Sequence, residues 1–500
     1  MDNGHIRFAS PAGRWVLLAT VLGSGVAMLD GTVVNVALPT LGTALGADMA
    51  GLQWTVNAYT LTLAGLILLG GSLGDRYGRR KVFLVGVVWF ALASALCGLA
   101  PNVETLIAAR ALQGVGGALL TPGSLAIIQA SFDREDRPRA IGAWSGLGGV
   151  AAAVGPLLGG WLVDTAGWRW VFLINLPLAA LVVAVTVRHV PESRDTEATG
   201  RFDVLGAALA ALSLAGITYG LIDLQVLPLV AGAVLGAVFV GSQIRRSPRA
   251  LVPVGVFSSR VFTAVNVVTF VMYAAMGVVF FLLVVQLQVS AGFSPLTAGS
   301  SMIPITVLML LLSARGELAK RIGPRIPMTA GILLCAAALL WMARIGEGSG
   351  YVADVLLPTS LFGLGLSAAV APLTSTVLAT AEDRYAGVAS GVNNAVARTG
   401  GLLAVAAIPP LVGLTGDAFT SASVFTSGFR ATMLIGAAMM AVSALITFLT
   451  IRENVLIASE PCMSCPVDAP PPATRRRGPR SGTRPSGPPL TPARGRAGDS

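Results

Sequence analysis

Charge is what this 500-residue sequence has least of. Only 12% of its residues are Asp, Glu, Lys or Arg, about half of the roughly 25% found in soluble domains, so most of the chain cannot be facing water. Aromatic residues are also few, at 6%, and give no fingerprint for a particular ligand. There are two histidines, His5 and His189, neither beside clustered acids, and no G-x-x-x-x-G-K-[ST] run, so neither a catalytic constellation nor a nucleotide site is expected. Of the four cysteines, Cys97 and Cys335 fall in apolar runs. Cys462 and Cys465 form a C-x-x-C in a Pro-rich tail without a second ligand pair, which is weak support for a metal or redox role. The expectation is a non-enzyme with no metal and no cofactor, and any work it does must draw on an ion gradient or on a solute's own gradient.

What the sequence has instead is long apolar runs. A bilayer core about 30 Å thick is crossed by roughly 20 apolar residues in a helix, and such runs recur with short polar breaks. Within hydrocarbon every backbone N–H and C=O must be satisfied, which leaves helices or closed barrels. Unbroken stretches such as Val82 to Leu99 exclude the alternating barrel pattern. The fold class is therefore all-α, a polytopic membrane protein with lipid bilayer as its solvent. The first run, from about residue 14 to 39, is too long for a signal-peptide core and is expected to be retained as helix 1.

Fourteen candidate helices follow. They divide into a short N-terminal segment, 1–13; six helices over 14–190; a pair over 200–245; six more over 255–451; and a Pro-, Gly- and Arg-rich tail, 452–500, expected to be disordered. That tail either touches anionic lipid weakly or is simply solvated. The net charge of +10 would suggest nucleic acid in a soluble protein. Here it sorts by side instead: 21 Lys and Arg flank one set of helix ends, against Arg169, Arg344 and Arg430 at the other. Positive charge stays inside, so both termini are expected to be cytoplasmic in a plasma-membrane protein, with no nucleic-acid partner. A duplication is visible as well. Gly71, Leu73, Arg76, Gly78 and Arg80 recur 245 positions later as Gly316, Leu318, Arg321, Gly323 and Arg325, and Gly142, Ser145 and Gly146 recur as Gly387, Ser390 and Gly391. The pair between the copies has no counterpart, giving a 6+2+6 plan with two pseudo-symmetric halves. In such architectures the binding site lies near the midplane between the halves.

Two charges stand deep inside apolar helices: Asp30 in L-D-G-T-V-V-N-V-A-L-P and Arg110 in R-A-L-Q-G-V-G-G-A. A charge near a helix centre costs ~2.5–3.5 kcal/mol on insertion scales, so both should face a cavity or each other. Burial favours a neutral acid while a nearby arginine favours the carboxylate, the physics of a proton switch; a static pair locking two helices is the alternative. Arg398 is a third buried cation, facing substrate, gating, or snorkelling. The turn Gly71, Asp75, Arg76, Gly78, Arg79, Arg80 joins two helices, and Asp75 either docks on a helix N-terminus of the other half or is part of a plain turn. The run Gly155, Pro156, Gly159, Gly160 makes a pliable or a closely packed helix. Asn35, Trp54, Tyr59 and Gln113 are further candidates to line a cavity, with packing as the plainer role.

Together these segments resemble the major facilitator superfamily over nearly all of residues 10 to 450. Gly71 to Lys81 resembles its signature between helices 2 and 3, and Gly155, Pro156, Gly159 and Gly160 resemble the helix 5 signature of its antiporters. The count of fourteen and the Asp30 segment are similar to its fourteen-helix drug:proton antiporters. The resemblance implies protonation or substrate contact at Asp30, proton coupling at Arg110 and gating at Asp75. It also implies export of small lipophilic or cationic compounds against protons, by a functional monomer; uptake of a metabolite by the same fold is the alternative. The second copy departs from the first, with Lys320 where Asp75 stands and no arginine equivalent to Arg110, so coupling is expected mainly in the N-terminal half.

Overall fold

The computed structural model describes residues 6–194, 203–246, 254–313, 323–380 and 386–451. Among them the only β pairing is an isolated bridge, Ile6 to Phe132; everything else of regular form is helical. The helices are α1 Pro11–Leu45, α2 Met49–Tyr77, α3 Arg79–Gly98, α4 Val103–Ser131, α5 Arg137–Thr165 and α6 Trp170–His189. The pair is α7 Val204–Ile222 and α8 Val226–Arg246. Then come α9 Arg260–Val289, α10 Pro295–Leu312, α11 Arg325–Met342, α12 Leu357–Thr380, α13 Ala386–Leu411 and α14 Ala422–Thr450. A π-helical turn, Tyr351–Leu356, leads into α12. Among the described residues thirteen helices are long and apolar enough to cross a membrane. The proposed tail lies outside the described residues, as do Gly316, Leu318, Lys320 and Arg321 of the second motif copy.

Local chemistry starts and stops these helices. Ser10 accepts the Gly13 N–H at 3.0 Å with Pro11 in the first turn, Asp48 caps α2 through Gly51 N–H at 2.8 Å, and Asn102 caps α4 through Thr105 N–H at 2.9 Å. Each supplies an acceptor to a backbone donor that the helix leaves open. Gly46, at φ 61°, ends α1 in the left-handed region, where a residue without Cβ is favoured.

The duplication appears in the packing. Within the first half α1 packs on α5, α4 on both α2 and α3, and α6 on α1 and α3. The second half repeats this as α9 on α13, α12 on α10 and α11, and α14 on α9 and α11. Adding 245 to the bounds of α3, 79 and 98, gives 324 and 343, within a residue of Arg325–Met342. The halves meet unevenly. Every hydrogen bond between described residues of the two halves lies at the end away from Asp75: Met49 N–H to Gly416 O at 2.8 Å, Gln53 Nε2 to Val405 O at 2.6 Å and to Ala406 O at 3.4 Å, Gln288 Nε2 to Val36 O at 2.9 Å and Leu296 N–H to Asp164 Oδ2 at 3.1 Å. We call this the far end, and the opposite one the basic end. The pair stands apart from both repeats: α7 packs on α8, on α2 and on α13, while α8 buries few of its residues, Gly232 and Gln243 among them.

Candidate functional site

Asp30 and Arg110 meet. Asp30 on α1 is fully buried and Arg110 on α4 is 1% exposed, with Arg110 Nη1 2.5 Å from Asp30 Oδ2. The same guanidinium donates to Gln113 Oε1 at 2.6 Å and to the Thr55 carbonyl at 3.1 Å. Its Cζ lies 4.4 Å from the ring centre of Tyr59 and 5.8 Å from that of Phe172. Both rings lie within cation–π range of the charge, Tyr59 the nearer. Asp30 Oδ1 accepts from Gln113 Nε2 at 2.8 Å and from Asn175 Nδ2 at 2.9 Å. Ser94 completes the cluster: its Oγ accepts from the Gln113 and Asn175 amides at 3.2 and 3.0 Å and donates to Phe172 O at 2.8 Å. Side chains from α1, α3, α4 and α6 are therefore tied into one network.

The geometry constrains what the network can do. Every neighbour of Asp30 donates to it and none accepts. A proton added to the carboxylate would have to point at a donor, so loading it requires at least one partner to turn away. Sequence reasoning found the two charges; it passed over Ser94 and Asn175, uncharged residues without a periodic or motif signal. Asn175 follows a break in α6 after Leu173, which is a local cue.

Two connected lobes of a cavity, about 720 and 430 Å³, lie between the halves and share Thr32, Asn35, Ala152, Met276 and Phe280. The larger is apolar, walled by Met276, Phe280, Val284, Met302, Ile305 and Met309, and reaches the exposed Gly142, Ser145, Thr374 and Ser375 toward the basic end. The smaller takes in Asn35, Tyr59, Arg110, Tyr273 and Arg398. Asp30 is one layer behind, screened by Arg110 and Tyr59, whose hydroxyl bonds Ala27 O at 3.2 Å. Gln113 lies within the network, outside the lining of either lobe. Trp54 is also outside it: its indole donates to Asp223 Oδ2 at the end of α7, at 3.2 Å.

Helix α5 changes character along its length. A Cβ on Gly142, Gly146 or Gly149 would meet open space, whereas one on Gly155 or Gly159 would strike Thr32 and Val33 of α1. Gly160 lies against the backbone of Pro295 and Leu296, and Gly299 against the carbonyl of Pro156. The Gly155–Gly160 stretch therefore makes backbone-to-backbone contact with α10 of the other half, and with the far-end hydrogen bonds it closes the cavity there.

At the basic end Asp75 bonds Arg79, at 2.8 Å from Nη2 and 2.9 Å from Nε, and no other described residue. Gly78, at φ 113°, turns the chain where a side chain would be strained and would collide with Glu192. That glutamate, which no motif announced, accepts from Arg80 N–H at 3.0 Å and Lys81 N–H at 3.2 Å, an anion at the positive N-terminus of α3. Arg79 N–H donates to Ser193 O at 2.9 Å, and Arg80 Nη1 to Val190 O at 3.0 Å. The turn is thus clasped to the segment leaving α6. Among the described residues, no group of three or more His, Cys, Asp or Glu is placed to hold a metal.

Residues 20–405 match the family model described as Major Facilitator Superfamily. The chain is 36% identical over 418 residues to a tetracenomycin C resistance and export protein of Streptomyces glaucescens, covering 81% of this chain and 77% of that one. It is 34% identical over 405 residues to the multidrug resistance protein Stp of Mycobacterium tuberculosis, with 78% and 74% covered. In fold it resembles a crystal structure of an auto-inhibited POT family peptide transporter, at a TM-score of 0.67 and 18% identity, covering 87% of this chain and 96% of that one.

Proposed function

Because the chain belongs to the major facilitator superfamily, we propose that it is a proton-coupled antiporter that exports small lipophilic compounds, of the antibiotic or multidrug kind, by alternating access. The observation that carries this reading is the buried Asp30–Arg110 pair standing one layer behind a cavity between the halves. A lone titratable carboxylate at that depth is functional by default, and here it is wired into four helices, so a change of its charge is felt as a change of packing. The export direction is supported by relatives named for resistance and export.

In this reading the basic end faces the cytoplasm, as the sorting of Lys and Arg requires. The conformation described is then inward-open: the cavity reaches the cytoplasmic side, and the far end is sealed by α5 against α10. A compound entering from the cytoplasm or inner leaflet fills the lobes. The halves then rock, the far end parts, and the compound leaves outward. A proton from outside loads Asp30, displaces one of its donors and returns the protein to the inward-open form, where the acid discharges. Asp75 would exchange Arg79 for a partner in the other half when the basic end closes. One chain holds the whole pathway, so the working unit is a monomer in the plasma membrane.

The test is dye efflux from cells, and accumulation in inverted vesicles, with and without a protonophore. Protonophore-sensitive export is expected; export that persists after collapse of the proton gradient would overturn the coupling.

A further inference from the structure

The charges around the cavity are lopsided. Among the residues lining its two lobes there is no Asp or Glu; the charged ones are Arg110 and Arg398. Arg110 is matched by Asp30. Arg398 has no carboxylate within ion-pair distance among the described residues, and its Nε donates to the amide oxygen of Asn394 at 2.9 Å. A guanidinium does not lose its proton, so this positive charge is permanent, and in a low-dielectric surround it is worth more than in water. Three unused polar atoms share the same lobe: the donors Asn57 Nδ2 and Thr121 Oγ1 and the acceptor Asn35 Oδ1 are buried and have no hydrogen-bond partner. The phenols of Tyr59 and Tyr273 also line it.

Resting on the export reading, we infer that the exported compound is an acidic amphiphile: a carboxylate or phenolate oxygen is held by Arg398, with Asn57 and Thr121 as further donors, and an apolar body fills the larger lobe. A cation of the same shape would meet Arg398 as a like charge with no carboxylate facing it, since Asp30 lies behind Arg110. Of the compounds left open by the sequence, the lipophilic ones with an acidic group fit and the cationic ones do not. One mechanistic consequence is that proton and substrate occupy different residues. They do not compete for a single carboxylate, so their exchange is enforced by the conformational cycle.

The test is binding to the full chain in lipid nanodiscs at neutral pH, with empty nanodiscs subtracted, using three probes that share one fluorophore: pyrenebutyrate, pyrenebutanol and pyrenebutylammonium. Pyrenebutyrate is expected to bind about tenfold tighter than the alcohol, ~1.4 kcal/mol, and the ammonium weakest. Arg398→Gln should bring the acid and the alcohol together, and Arg398→Lys should keep most of the preference. The wild-type series stands by itself if a variant fails to fold. An ammonium bound tightest, equal binding of all three, or an acid preference that survives Arg398→Gln would overturn the inference. Binding needs no gradient, so protonophore-insensitive efflux would refute the coupling and leave this order of affinities untouched.

Discussion

The two halves share a packing plan and differ in chemistry. In the first, α1, α3, α4 and α6 bring Asp30, Ser94, Arg110, Gln113 and Asn175 into one buried network. At the 245-residue offset Asp30 corresponds to Ala275, Ser94 to Leu339 and Arg110 to Val355, all buried and apolar. The nearest analogue in the second half is an uncharged trio: Asn393 Nδ2 donates to Asn266 Oδ1 at 3.2 Å and to Thr269 Oγ1 at 2.9 Å. Duplication thus fixed the helix arrangement, whereas ionisable chemistry was free to settle on one side. In the functional reading the first half handles the proton, and the second contributes Arg398 to the substrate.

The comparison breaks most sharply at the pair. Asp30→Asn is expected to reduce uphill export in proteoliposomes to background while exchange down a gradient persists. Arg110→Gln alone strands a buried carboxylate, at ~3–5 kcal/mol, and should lower the melting temperature in detergent. Asp30→Asn with Arg110→Gln should restore folding and leave uphill export absent. Full uphill export by that double variant would mean that the difference between the halves is structural only.

Next comes the seam between the halves. Gly160→Val and Gly299→Val would force the α5 and α10 backbones apart, and overpacking of this kind costs ~1–3 kcal/mol. Both should leave the far end poorly sealed, read as faster labelling of a far-end cysteine by a membrane-impermeant thiol reagent. Gly142→Val, where a Cβ meets open space, should label at the wild-type rate.

A smaller effect is expected at Asp75. Its pair with Arg79 is partly exposed, and such pairs contribute about 0–1 kcal/mol, so Asp75→Asn should scarcely move the melting temperature. Export should nevertheless fall several-fold if the carboxylate docks on the other half when the basic end closes; unchanged export would confine it to the turn. The smallest effect belongs to the unpaired helices: Asp223→Asn removes the bond from Trp54 and should leave uphill export unaltered. Loss of transport with normal expression would place α7 in the pathway.

The sequence disclosed the helices because hydrocarbon imposes long apolar runs, and it disclosed Asp30 and Arg110 because a charge within such a run is conspicuous. Boundaries were less legible. Helix α1 extends over Pro11–Leu45, beyond the expected 14–39, because capping and polar terminal turns carry little hydropathy. Ser94, Asn175 and Glu192 escaped notice for different reasons. The first two are neutral and tolerated in many apolar helices, and Glu192 acts across 111 and 112 residues of chain, which no local pattern encodes. Trp54 is a candidate to line a cavity by helix and type, with packing as the plainer role. Its direction depends on where α7 sits, and α7 belongs to neither repeat.

Helix α7 has one further consequence. It is latched to α2 through the Trp54–Asp223 bond and a close approach of Gly65 to Ala211, yet among the described residues no hydrogen bond joins it to α13, against which it also packs. In the proposed alternating-access cycle it would travel with the first half and slide over the second. In engineering terms it would be a bearing: an outrigger attached to one moving part, by backbone packing as well as by the Trp54 bond, that would keep hydrocarbon tails out of the gap to the other while the two rotate.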